Sequence, residues 1–262
     1  MRRNIKRKKD PRMNTLRTGV MLFGIAFLLT GCGSGNGGSV VATTTRAITT
    51  NTLKTFANGD NIQYAMTGSD TAAGATITFT GTGRFLMTTN ASPPDLTRTV
   101  RSINTLALIG VFSNGTALNT NNQIYYAQDA LGNFNVYGNA QSLWIISPAS
   151  GFVTRLKSPI FSPNTWTNSY TQQNGDVTVA TIRIIGKTIV TTGMGTFETY
   201  KIQTDSTTTW AAGGTDVFMK IDYVVPSIGP IKIVKDTQTT DAAGTLSRRQ
   251  YTLIASTTNI AF

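Results

Sequence analysis

The feature that most constrains this chain is the spacing of its apolar residues. Past residue 31 they alternate with polar ones or run in short blocks, and no long stretch repeats at a helical period. Residues 217–225 show the pattern best. Val217, Met219, Ile221, Tyr223 and Val225 share one face of an extended chain, while Lys220 and Asp222 fall on the other. This predicts a half-buried strand whose apolar face lines an interior and faces any ligand held there.

Threonine, valine, isoleucine and tyrosine recur in further segments that favour a pleated surface. Strands are expected at 61–67, 75–87, 98–112, 123–128, 133–137, 143–146, 166–172, 177–191, 196–207, 230–237 and 245–255. Asn174-Gly175, Leu131-Gly132-Asn133, Gly193-Met194-Gly195 and Ala243-Gly244 supply tight turns between them. Neighbours joined by short turns run antiparallel. The expected fold is therefore all-β, a single antiparallel meander forming a strongly curved sheet or half-closed barrel. Its apolar and aromatic residues, including Trp144, Trp166, Phe197 and Tyr223, are expected to fill the core.

The net charge of +11 would ordinarily point to nucleic acid or an anionic surface. It is not evenly spread. Residues 1–31 carry eight basic side chains against Asp10 alone, a balance of +7, which leaves +4 for the rest. The remaining cations are scattered, with only Arg248-Arg249 adjacent, so a nucleic-acid partner is not expected. The basic run precedes a ten-residue apolar stretch at 20–29, the length of a signal-peptide core and about half of a bilayer span.

Leu29-Thr30-Gly31-Cys32 follows, and Cys32 is the only cysteine. The segment resembles the lipobox of bacterial lipoproteins. The resemblance implies cleavage between Gly31 and Cys32, a diacylglyceryl thioether on the Cys32 sulfur, usually an acyl group such as palmitate on the new N-terminus, and an anchor that does not cross the membrane. Gly33, in place of the aspartate that favours inner-membrane retention, points to the outer membrane, with the domain facing periplasm or cell surface. Met1 and Met13 both stand as translation starts, Met13 giving the leader a more ordinary length. The expected organisation is a signal peptide at 1–31, the lipidated cysteine and a Gly/Ser/Thr tether at 32–44, and a β-rich domain at 45–262.

A second resemblance lies in the later half. A proline-rich approach to Trp166 over 158–166, the hairpin Lys187 to Ile202 containing Gly195-Thr196-Phe197, and the turn Tyr223 to Lys232 containing Pro226 and Gly229 are similar to a poorly characterised group of bacterial periplasmic and lipoprotein β-domains. The resemblance is fair from about Tyr125 to Ile254 and implies a curved antiparallel sheet, distantly like the carrier barrels that sort lipoproteins. Pro230 and the 192–194 segment depart from the pattern, and the group supplies no catalytic residues to carry over.

The residues themselves argue for binding over catalysis. There is no histidine to act as base, one cysteine excludes an internal disulfide, and the only glutamate, Glu198, is expected to face solvent beside a buried Phe197. Asn119 to Asn122 with Asp129 offer oxygen atoms but no calcium-loop spacing. No cofactor, metal or catalytic residue is therefore expected. The reading is a membrane-anchored, non-catalytic lipoprotein whose β-domain binds an apolar small molecule or an envelope protein. A surface or assembly protein is the alternative, and a metal-independent hydrolase ranks behind both.

Overall fold

Alternating patterns become thirteen strands among the described residues, which in this computed structural model are 44–89, 102–140 and 144–262. The leader, Gly31, Cys32, nearly all of the tether and the starts of the 98–112 and 143–146 segments lie outside them. In chain order the strands are β1 (Asn61–Ala72), β2 (Ala75–Thr89), β3 (Ser102–Phe112), β4 (Ala117–Gln128), β5 (Phe134–Asn139), β6 (Ile145–Ser147), β7 (Val153–Leu156), β8 (Asn164–Gln172), β9 (Val177–Thr192), β10 (Gly195–Thr209), β11 (Thr215–Val225), β12 (Gly229–Thr240) and β13 (Leu246–Thr258).

All belong to one antiparallel sheet in the order β6-β8-β9-β10-β11-β12-β13-β1-β2-β3-β4-β5-β7. Two meanders, β1 to β5 and β8 to β13, are joined by the β1–β13 ladder, in which Met66 faces Leu253 and Asp70 faces Arg249. The sheet then curls until its far strands meet. Trp144 bridges Gly138 of β5, and the next residue, Ile145, pairs with Gln172 of β8. Lower down, β7 pairs with β5, but β8 reaches it through side chains: Trp166 Nε1 and Asn168 Nδ2 both donate to Thr154 O, at 3.0 and 2.9 Å. The result is a nearly closed barrel with a seam between β7 and β8, which leaves few free edges.

The predicted turns are in place, with Gly175 at φ +89° and Gly244 at φ +82°, angles that a side chain disfavours. The antiparallel register puts the β1–β2, β3–β4, β8–β9, β10–β11 and β12–β13 turns at one end of the barrel. The opposite end is crossed by a strap, residues 44–60, that carries almost no regular structure and was not anticipated. Arg46 N donates to Thr196 O and Glu198 N to Arg46 O; farther along, Lys54 N donates to Pro226 O and Gly59 N to Met87 O. Residues 158–160 join it, Ile160 N donating to Asn51 O. Leu53 and Ile160 plug this end and are buried.

Inside, Ile62, Tyr64 and Met66 of β1 pack on Phe79, Phe85 and Met87 of β2 and on Leu253 of β13. Their volume needs a bare strip opposite: a Cβ on Gly81 would collide with the backbone oxygen of Ile109, so β2 and β3 approach as closely as they do because residue 81 has none. Beyond Gly186 the β9–β10 hairpin outgrows β8 and folds over β12 and β13. Gly193 N donates to Ala255 O at 3.0 Å, and Phe197 is buried as expected, in the cluster that holds Ile228, Ile231 and Ile260.

Candidate functional site

The barrel is not completely filled. Between the strap and the turn end lies a cavity of about 160 Å³. Its floor is apolar, formed by Leu53 and Phe56 of the strap with Phe85 of β2, Ile202 of β10 and Val224 of β11. A second space of similar volume shares Asn122, Ile124 and Arg155 with the first and continues toward the turn end past Tyr170 and Gln172. Neither is a sealed void.

The strand expected to face the interior does so with its other face. Phe218, Lys220, Asp222 and Val224 line the cavity, whereas Val217 is half exposed, Met219 and Ile221 share its side, and Tyr223, also on that side, is half-buried against the main core cluster. The alternation is real and its direction is reversed. Apolar-in and polar-out holds for a strand that packs on a filled core; here the inward neighbours are a space and other charged groups. Val225 is buried, but beyond a bulge at Tyr223/Val224 and against Val190 and Phe197 of the overlying hairpin.

Above the apolar floor is a charged belt. Lys220 of β11 and Lys235 of β12 stand directly opposite in the strand register, both on the cavity side. Lys220 Nζ is 2.8 Å from Asp222 Oδ2, an ion pair in which both side chains are less than a fifth exposed. Asp222 Oδ1 is buried and has no hydrogen-bond partner among the described residues. Burial pushes Lys220 below the usual lysine range, with Asp222 acting in the opposite sense. Lys235 has no carboxylate within ion-pair distance among the described residues. Its ammonium lies 5.0 Å from the Phe218 ring centre and 5.7 Å from that of Tyr251. Burial first, then the charges of Lys220, Arg155 and Arg249, bring it down to about 8.

Arg155, on the short strand β7 that the sequence did not reveal, borders both spaces and also lacks an ion-pair partner among the described residues. Nearer the turn end the charges are matched: Arg249 grips Asp70 with two bonds of 2.7 and 2.6 Å. The cavity itself thus holds three cations and one carboxylate. Tyr251 beside them is pushed up to about 12, mainly by burial.

Glu198 is not a free surface carboxylate. Its Oε2 accepts from Ile48 N at 3.0 Å and pairs with Lys187 Nζ at 3.3 Å, which holds its pKa below the usual value and pins the strap to β10. The residues weighed for calcium do not converge either. Asn119 to Asn122 lie within β4, whereas Asp129, just past its end, accepts from Leu131 N, Asn133 N and two asparagine side chains and so clamps a turn. No cluster of three or more metal-ligating side chains occurs among the described residues.

No protein-family profile matches the sequence, and no curated protein does. Among solved structures that are similar, two can be described. One is a protein described as exported, with a YmcC-like fold, from Bacteroides fragilis: 11% identity over 79% of this chain and 99% of the other, TM-score 0.38. The other is a protein described as a lipoprotein from Parabacteroides distasonis: 12% identity over 80% and 98%, TM-score 0.35. Likeness at that level leaves function to the geometry of the barrel itself.

Proposed function

We propose that this chain is an exported lipoprotein, anchored to the outer membrane through Cys32, whose barrel binds a small molecule with an apolar part and does not transform it. The basic leader, the apolar 20–29 stretch and Leu29-Thr30-Gly31-Cys32 support the anchor. The observation that carries the binding role is the cavity, a space with an apolar floor that is plugged at one end by the strap. Lys220 pairs with Asp222 and Lys235 lies over the Phe218 ring, an arrangement suited to holding a ligand in one orientation.

Two measurements test this reading. Radiolabelled palmitate should enter the wild-type chain and not Cys32→Ser, and an inhibitor of the lipoprotein signal peptidase should cause precursor to accumulate. Native mass spectrometry of the full Cys32→Ser chain should reveal a bound small molecule that disappears on Leu106→Trp, which fills the cavity. Loss of label dependence on Cys32 would sink the anchor; a bound mass unchanged by Leu106→Trp would sink the cavity as the site.

A further inference from the structure

Interior charge in a barrel needs a reason. Like charges placed directly across a strand pair oppose each other, and a buried charge without a partner is strongly disfavoured unless something compensates it. Lys220 and Lys235 are such a pair. Asp222 offsets only Lys220. Lys235 rests on the Phe218 and Tyr251 rings, and Arg155 faces the same space from β7. Replacing the lysines by apolar residues of similar length would give a more comfortable empty barrel. The cavity is therefore electrostatically incomplete, short of negative charge by two.

The apolar floor of Leu53, Phe56 and Phe85 lies on the strap side of this belt. From that order we infer that the cavity takes an amphiphile with an anionic head, a carboxylate or a phosphate, held by Lys235 and Arg155, with its tail against Leu53, Phe56 and Phe85. The inference rests on the binding reading above and names the chemistry of the ligand. Arginine offers a planar fork and lysine a point charge, a combination that suits either head. The size follows from the volume: an apolar void of about 150 Å³ accommodates a benzene-sized molecule, so about 160 Å³ takes a tail of roughly six carbons, and the remainder of an eight-carbon amphiphile with its head reaches the adjoining space that Arg155 also borders.

The test compares octanoate, octyl phosphate and 1-octanol by calorimetry on the full Cys32→Ser chain at pH 7. Octanoate or octyl phosphate should bind at least about tenfold more tightly than 1-octanol, as a charge-assisted contact to the head requires. Whichever of the two is tighter identifies the head. Lys235→Met and Arg155→Met should each remove most of that advantage and leave 1-octanol binding within about twofold. Equal affinity for octanoate, octyl phosphate and 1-octanol overturns the anionic head and leaves an apolar-ligand barrel standing. Binding of none of them overturns both readings. An anion preference that survives in folded Lys235→Met and Arg155→Met chains places the head elsewhere and also overturns the inference. The comparison of ligands on the unsubstituted barrel decides even where a variant does not fold.

Discussion

Lys220 and Lys235 face each other across the β11–β12 ladder with both ammonium groups on the cavity side, and only Lys220 has a carboxylate, Asp222, at ion-pair distance. The lysine left over pulls stability and binding in opposite directions.

Lys235→Met should therefore stabilise the unliganded barrel by about 1–2 kcal/mol while weakening octanoate binding, because it removes a desolvated charge and keeps the packing of the side-chain stem. Urea unfolding of both chains without ligand measures the first effect. A destabilised Lys235→Met chain would show that the ring contacts outweigh burial.

The same side chain sets an alkaline response. Its pKa in the fold is about 8, against an ordinary value of 10.5, so between those limits the unfolded chain binds more protons than the folded one. Stability should rise as pH goes from about 8 toward 10, on the order of 2 kcal/mol, and Lys220 is shifted in the same direction. Above pH 10 the trend should reverse. Tyr64, Tyr126 and Tyr251 are all held above their usual pKa by burial, so the unfolded chain gives up their protons first. Octanoate affinity should fall over the window in which Lys235 loses its charge. Burial sets that window first, and the charges of Lys220, Arg155 and Arg249, opposed by Asp216, adjust it. Urea midpoints from pH 7 to 11 and calorimetric titrations from pH 7 to 9.5 check both.

Glu198→Ala removes an acceptor for Ile48 N and the partner of Lys187, and should cost about 1–2 kcal/mol. Glu198→Gln keeps an oxygen for Ile48 N and should cost about half as much. Limited proteolysis should cut the alanine chain faster within residues 44–50. The carboxylate's lowered pKa makes its contribution full above its ordinary 4.5 and lost as pH falls through the folded value.

Gly81→Ala should destabilise by at least about 2 kcal/mol, since the added methyl meets the backbone of β3 at Ile109 and Gly110. Gly83→Ala meets the side-chain ends of Leu108 and Leu253, at 3.2 Å, and no backbone, and should cost less than Gly81→Ala, about 1 kcal/mol. Thermal unfolding of the two side by side would show whether the bare strip is set at residue 81.

What the sequence made legible was whatever depends on neighbours in the chain. The β12–β13 turn at Ala243-Gly244, the hairpin ending in Gly195-Thr196-Phe197 and the burial of Phe197 all follow from local pattern. Which way the 217–225 strand faces depends on what stands across from it, and no local pattern encodes that Lys220 looks across a space at Arg155 of β7. The strap escaped notice for a related reason. Residues 44–60 are held by backbone bonds to Thr196, Pro226 and Met87, partners far along the chain, and such bonds leave no periodic trace in side-chain hydropathy. Strand β7 is four residues long, too short to show a period.

The seam gives the barrel a property that its ladders alone would not. Among the described residues the other neighbouring strands are laced by backbone bonds that hold their spacing, whereas Trp166 and Asn168 reach Thr154 of β7 through side chains. A ring closed in this way is joined by side chains where β8 meets β7. Fewer bonds hold its girth along that line than along the ladders, and Arg155 stands there, next to Thr154. A guest slightly longer than the resting interior would thus be met by a container that loosens along a single line, beside the cation that receives its head.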